Sequence, residues 1–236
     1  MSTAVVTGGT RGIGRAISLE LASAGHNVIA LATSAPADPL DGVEARICDV
    51  TDERQVASTF SDIGPVDILV NNAGVSGSNR LSRTTLEEWH RSIAVNATGA
   101  FLCTRAVIDG MLERDAGRIV TVASIAGVEG AKYIAAYASS KHAVMGLTRV
   151  VAAEVDGTGV TANSVCPTFV RTEMTVATIA NIARQTGKNL AEAEAALAKA
   201  TPHGRIIEIA EVVEAVMELL DGDHNGREVV LDGGPS

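Results

Sequence analysis

Tyr137 and Lys141 stand four residues apart in the run Tyr137-Ala138-Ser139-Ser140-Lys141. On a helix that interval places both side chains on one face. A free phenol, with a pKa of about 10, is a poor acid or base near neutrality. An ammonium beside it stabilises the phenolate and brings the value down. The pair is therefore a candidate proton-transfer device. Ser124, upstream, offers a hydroxyl, and Asn96 an amide. Taken singly, each has a plainer reading. Tyr and Lys can decorate an exposed helix, Asn96 can cap or kink one, and Ser124 can be a turn serine.

A second group points to a dinucleotide. Thr7-Gly8-Gly9-Thr10-Arg11-Gly12-Ile13-Gly14 follows a short apolar run, Ala4 to Thr7, and opens a helical pattern. Glycines allow a tight turn and close backbone approach, and a helix start presents free N–H groups and the positive end of its dipole to an anion. No Gly-Lys-Ser/Thr follows, which argues against a nucleoside triphosphate loop. A dinucleotide loop together with a Tyr/Lys acid–base pair implies hydride transfer between a nicotinamide and a carbonyl or alcohol. Such chemistry needs no metal, and no cluster of metal-ligand type is apparent.

These residues need a scaffold. Apolar runs at Ala4 to Thr7, Val28 to Leu31, Val43 to Cys48, Ile68 to Val70, Arg118 to Val122, Val160 to Val165 and Glu228 to Leu231 read as seven strands. Helical patterns run from Ile13 to Ala24, from Leu86, Trp89 and Ile93 on to about Arg114, from Ala136 to Val155, and from Ile209 to Leu220. Alternating strands and helices with apolar strands predict an α/β fold, a parallel sheet covered on both faces. The stretch holding Pro36 and Pro39 is too short for a helix between the second and third strands. Residues 168–204 form a long insertion. Within it a helical piece spans Thr175 to Arg184, Gly187 interrupts, and Asn189 with Glu192 reads as the start of another helix. Connections of this length are often lids.

The chain has 236 residues, 46% of them hydrophobic, a size at which α/β folds commonly form one domain, here 1–236. Aromatic residues make up 3%, so the core must come from Ala, Val, Ile and Leu. A net charge of -9 argues against nucleic acid and anionic membranes as partners. No apolar run is long enough to span a bilayer. Cys48, Cys103 and Cys166 form no Cys-x-x-Cys pair, so a reduced, cytoplasmic setting is expected.

Asn71-Asn72-Ala73-Gly74 after the fourth strand, Asn96, Ser124 after the fifth and Asn163-Ser164-Val165-Cys166-Pro167 closing the sixth complete a set with Thr7 to Gly14 and the Tyr137/Lys141 pair. In order and spacing, this set resembles the short-chain dehydrogenase/reductase family over nearly the whole chain. The resemblance implies a Rossmann-type, doubly wound, seven-stranded parallel sheet. It makes Tyr137 the acid/base, Lys141 its tuning partner and ribose ligand, Ser124 the holder of the substrate oxygen, and Asn96 the residue that positions a relay water. It puts Gly8, Thr10, Arg11, Gly12, Ile13, Gly14, Thr33, Ser34, Asp49, Val50, Asn72, Ala73, Gly74, Pro167, Val170 and Thr172 at the cofactor, with Asp49 and Val50 against adenine. Thr168 departs from the glycine that the family often has after this proline, where a threonine restricts the backbone.

The substrate opening is expected among Val75, Ser76, Ile125, Tyr133, Phe169 and Met174. With Val170, Val176 and Ile179, the last two give a mostly apolar wall suited to a compact ketone, a secondary alcohol or the acyl part of a thioester. Many family members reduce 3-oxoacyl groups on an acidic carrier. Glu113, Asp115, Glu154 and Asp156, opposed only by Arg114, weaken that alternative. Such a fold can also serve a non-catalytic dinucleotide-sensing regulator, which has no need of a proton donor such as Tyr137. An NAD-selective site usually closes its second strand with a carboxylate. Here the chain reads Leu31-Ala32-Thr33-Ser34, so NADP(H) is expected over NAD(H). The family's usual assembly implies a homotetramer, and Ala97, Gly99, Ala100, Ala143 and Gly146 would allow close helix approach.

Overall fold

The computed structural model describes residues 2–234; Met1, Pro235 and Ser236, the ends of the expected 1–236 domain, lie outside the described residues. Seven strands form one parallel sheet: β1 (Thr3–Thr7), β2 (Asn27–Ala32), β3 (Val43–Ile47), β4 (Ile68–Asn71), β5 (Gly117–Val122), β6 (Val160–Pro167) and β7 (Glu228–Leu231). Their order in space is β3-β2-β1-β4-β5-β6-β7. The winding reverses between β1 and β4. That leaves a crevice at their C-terminal ends, where open α/β sheets take ligands.

The central strands are mostly apolar because both faces are covered. β4 and β6 are buried along their whole length. On one face Ile17 and Leu21 of α1 (Gly12–Ser23) and Val212, Val216 and Leu219 of α8 (Ile209–Asp221) pack on Ala4, Val6 and Val70. On the other, Val56 and Phe60 of α2 (Glu53–Ile63), Cys103 and Met111 of α4 (Gly99–Glu113) and Val151 of α5 (Ala135–Glu154) pack on Val5, Leu69 and Ile119. No helix joins β2 to β3, as the prolines predict.

The Leu86-Trp89-Ile93 pattern is a helix, α3 (Leu86–Ile93), but Leu86 is 68% and Trp89 38% exposed, so they are not its inner stripe. Nor does α3 run smoothly into α4. A π-helical turn, Ala94–Thr98, separates the two. One extra residue per turn swells a helix locally, and such bulges gather at functional sites.

The insertion holds α6 (Glu173–Thr186) and α7 (Leu190–Ala198). Gly187 stops α6 in the left-handed conformation, φ 72°, and Asn189 and Glu192 form the reciprocal cap that starts α7. The segment has a small core of its own, Ile179, Ala193, Leu197 and Ile206. Its two ends are pinned together at Val170 and Ile207, with Arg171 N–H bonding Ile207 O and Ile207 N–H bonding Phe169 O, each at 2.9 Å. No helix among the described residues is long and apolar enough to cross a membrane.

Candidate active site

The glycine loop follows β1 directly and runs into α1. Gly8 and Gly12 take positive φ, 63° and 52°, which only glycine adopts freely. A Cβ on Gly8 would stand 3.0 Å from Ala73 Cα, whereas one on Gly12 would meet nothing within 4 Å. Gly8 therefore lets the loop close on the Ala73 turn, and Gly12 faces open space. Arg11, at the N-cap, makes no side-chain cap, which leaves the first N–H groups of α1 without an intrahelical or capping acceptor. This open, glycine-lined helix start fits a pyrophosphate.

Thr7 stitches that loop to the next. Its Oγ1 accepts from Asn72 N at 3.0 Å and Ala73 N at 2.9 Å, and Asn72 Nδ2 donates back to Thr7 O at 2.9 Å. Sequence reasoning placed Thr7 at the head of the glycine loop but gave its side chain no role. A hydroxyl between an apolar run and the first glycine was the available signal.

The sequence-predicted catalytic residues converge at the C-terminal ends of β4 and β5. Lys141 is buried, its Nζ donating to Val122 O at 3.0 Å and standing 6.0 Å from the centre of the Tyr137 ring. Ser124 caps a short 3-10 turn, its Oγ accepting from Ala126 N at 3.1 Å. Asn96 lies buried in the π-helical turn, its Oδ1 accepting from Val75 N at 2.8 Å and its Nδ2 donating to Val75 O at 2.9 Å. Over Gly74, the point where a Cβ would stand is 3.4 Å from Asn96 Oδ1 and 3.8 Å from Lys141 Nζ. Both groups thus face one small space, which glycine keeps free.

Burial dominates the electrostatics. It brings Lys141 down to about 8, because an ammonium loses its hydration there and no carboxylate compensates. Burial likewise pushes the Tyr137 phenol above its ordinary value, with a hydrogen bond from Ser124 working against the rise. This corrects the expectation that Lys141 brings Tyr137 down. The lysine leans on a backbone carbonyl of β5 and is itself only weakly basic, so desolvation of the phenol wins.

The remaining predicted residues are distributed as follows. Thr33 and Ser34 are exposed just beyond β2, and Arg11 is exposed with no ion pair among the described residues. Asp49 is turned to its own loop, its Oδ1 accepting from Thr51 N at 2.9 Å and Thr51 Oγ1 at 2.8 Å. Val50 is buried against Gly99, so its side chain belongs to the core and only its backbone is free to face adenine. Thr172 caps α6, and Val170 is buried in the pinned base of the insertion. Ser76, Phe169, Met174 and Tyr133 are exposed, and Ile125 is half-buried. Tyr133 adopts φ 71°, unusual for a bulky residue, with its carbonyl accepting from Asn79 N at 2.7 Å. Thr168 is absent from the positive-φ residues, so this departure from glycine costs no backbone strain. His142 bonds Ala138 O on the exposed side of α5, and His203 pairs with Asp232.

The model of the family described as "short chain dehydrogenase" matches residues 2–183. A D-beta-hydroxybutyrate dehydrogenase of Rhizobium meliloti is 34% identical over 98% of this chain and 97% of its own. A 3-oxoacyl-[acyl-carrier-protein] reductase of Vibrio cholerae is 39% identical over 90% of this chain and 87% of its own. Among solved structures, the actinorhodin polyketide ketoreductase with NADPH is similar at a TM-score of 0.90 and 32% identity, covering 99% of this chain and 96% of that one. Sheet order, glycine cradle and family match agree: the chain belongs to the short-chain dehydrogenase family, nicotinamide-dependent oxidoreductases acting on CH–OH and keto groups.

Proposed function

We propose that this enzyme moves a hydride between NADP(H) and a compact ketone or secondary alcohol, with Tyr137 as acid/base. The observation that carries the reading is the grouping of Ser124 and Lys141 around Tyr137, with Lys141 Nζ and Asn96 Oδ1 facing Gly74 in the loop that packs on the glycine-lined helix start. When bound, the nicotinamide supplies the hydride in reduction and takes it in oxidation. Gly12, Ile13 and Gly14 would hold the pyrophosphate on backbone N–H groups, and Lys141 the nicotinamide ribose. As a carbonyl is reduced, charge builds on its oxygen. Ser124 and Tyr137 hydrogen-bond that oxygen, and Tyr137 gives it a proton. Lys141 is mostly protonated at neutral pH and supports the phenolate left behind. Asn96 Oδ1 aims at the space beside Lys141 Nζ, where a water would carry the replacement proton. The insertion, with Phe169 and Met174 exposed, would close over the substrate with Val75, Ser76, Ile125 and Tyr133 around the opening.

The choice of NADP(H) rests on what stands beyond β2. Thr33 and Ser34 are exposed hydroxyls with no carboxylate at the end of the strand to repel a 2′-phosphate, and Arg11 is an exposed cation in the neighbouring loop. A panel of ketones, 3-oxoacyl thioesters and alcohols, followed by nicotinamide absorbance with each cofactor, tests both readings. NADPH is expected to bind at least about 10-fold tighter than NADH by fluorescence titration, and Thr33→Asp to reverse that order. Tighter NADH binding by the wild type would reject the preference. No turnover across the panel would reject the substrate class.

A 3-oxoacyl thioester is the second reading, favoured by relatives named 3-oxoacyl-[acyl-carrier-protein] reductase. We further propose a homotetramer. Phe101 and Leu112 on α4 and Val150 on α5 are exposed, a pattern expected of helix faces that a second copy covers. Light scattering at micromolar concentration should give four times the 24.2 kDa chain mass. A monomer mass would overturn this.

A further inference from the structure

We propose that Ser140 is a positioning residue of the proton path: its hydroxyl ties the Asn96 amide to the helix that carries Tyr137 and Lys141. The inference rests on the reading of Tyr137 as the proton-transfer group and deepens it.

Ser140 is completely buried. Its Oγ donates to the backbone carbonyl of Tyr137 at 2.7 Å, one turn back in α5. A hydroxyl has one proton. With that proton committed, Ser140 can only accept on its other side, and it accepts from Asn96 Nδ2 at 2.8 Å. The second N–H of that amide goes to Val75 O at 2.9 Å, and Oδ1 takes Val75 N–H at 2.8 Å. Every amide proton of Asn96 is thereby used. One acceptor position on Oδ1 remains, and that oxygen lies over Gly74 near Lys141 Nζ.

The arrangement joins parts that are distant in sequence. Asn96 stands in the π-helical turn between α3 and α4, Val75 in the loop after β4, and Ser140 in α5. Val75 decides which way the amide faces. Ser140 fixes how far it stands from the Tyr137 and Lys141 helix. Without the hydroxyl, a buried N–H has no partner and must turn towards another acceptor. The turn then loses its tie to α5, and the space between Oδ1 and Nζ changes width. Proton relays depend steeply on such spacing. Cofactor and substrate are gripped by other residues, so their binding should be spared.

The test compares Ser140→Ala, Ser140→Thr and Tyr137→Phe with the wild type. Ser140→Ala should bind cofactor and show KM as the wild type does, with kcat for alcohol oxidation about 10-fold lower. Its pH profile should shift to higher pH, and its solvent deuterium isotope effect should rise, because proton movement has become slower. Ser140→Thr keeps the hydroxyl and should recover most of kcat. A merely structural serine predicts a lower Tm for Ser140→Ala with pH profile and isotope effect unmoved, and that result overturns the proposal. If Ser140→Thr does not fold, the isotope effect on Ser140→Ala still decides. Tyr137→Phe separates the two claims. Inactive Tyr137→Phe with an unmoved Ser140→Ala profile refutes the role of Ser140 alone, whereas active Tyr137→Phe refutes the reading of the site beneath it.

Discussion

Tyr137→Phe should lower kcat by on the order of 10²-fold or more while leaving cofactor binding and Tm near wild type. The ring keeps its packing, and only the atom that exchanges the proton is removed. Burial raises Tyr137 in the free protein, so the phenol is held almost wholly neutral at pH 7 and is set up as a donor for carbonyl reduction. In the reverse direction the phenolate must form first, and alcohol oxidation should climb as the pH becomes alkaline. The sequence holds two tyrosines, and Tyr133 is exposed, so a phenolate difference spectrum of wild type minus Tyr137→Phe isolates one group. In the cofactor-free protein that group should ionise above pH 10. Ionisation well below 10 would mean that Lys141 controls the phenol despite its distance. Wild-type turnover by Tyr137→Phe with normal cofactor binding would mean the proton comes from another group.

Lys141→Met should separate stability from activity. The folded-state value for Lys141 is lowered to about 8 from 10.5, so the unfolded chain holds this proton more tightly. The resulting penalty on the fold is complete below pH 8 and disappears as the pH rises towards 10.5. Two and a half units correspond to about 3 kcal/mol. Methionine escapes that penalty but loses the bond to Val122 O, about 1 kcal/mol. The variant should therefore be about 2 kcal/mol more stable than wild type at pH 7 by denaturant unfolding, yet at least about 10²-fold slower and weaker in cofactor binding. A variant equal to or less stable than wild type at pH 7 would contradict this account. In the wild type the rise in stability should be clear only between pH 8 and about 9. Above that, thiols take over with the opposite sign. Burial pushes Cys103 up to about 12, so the unfolded chain ionises there first and stability falls.

Much of this was legible in the sequence because it depends on local pattern. The seven apolar runs are the seven strands, and the missing helix between β2 and β3 follows from Pro36 and Pro39. Gly187 and Asn189 mark the break within the insertion through backbone preferences that act over one turn. Misreadings arose where distant contacts decide. α2 was overlooked although Asp52 caps it and Val56 and Phe60 form its inner face. The segment from Leu86 to about Arg114 is not one helix but α3, a π-helical turn and α4. The π-helical turn depends on Asn96 meeting Val75 and Ser140, neither of them near it in sequence. The rise of Tyr137 reflects surroundings that four-residue spacing does not encode.

The insertion carries a consequence for how substrate range can change. Ile179, Ala193, Leu197 and Ile206 give it a small interior of its own, and its ends meet at Val170 and Ile207. Arg171, paired with Glu194 and Glu208, fastens α7 to the entry of α8 from outside. A unit closed at its base and filled from within behaves as a cassette. Exposed positions such as Met174 and Val176 are then free to drift, because their replacement does not disturb that interior. With the insertion in its proposed place over the substrate, selection can rewrite what the enzyme accepts in one segment while Ser124, Tyr137 and Lys141 stay unchanged.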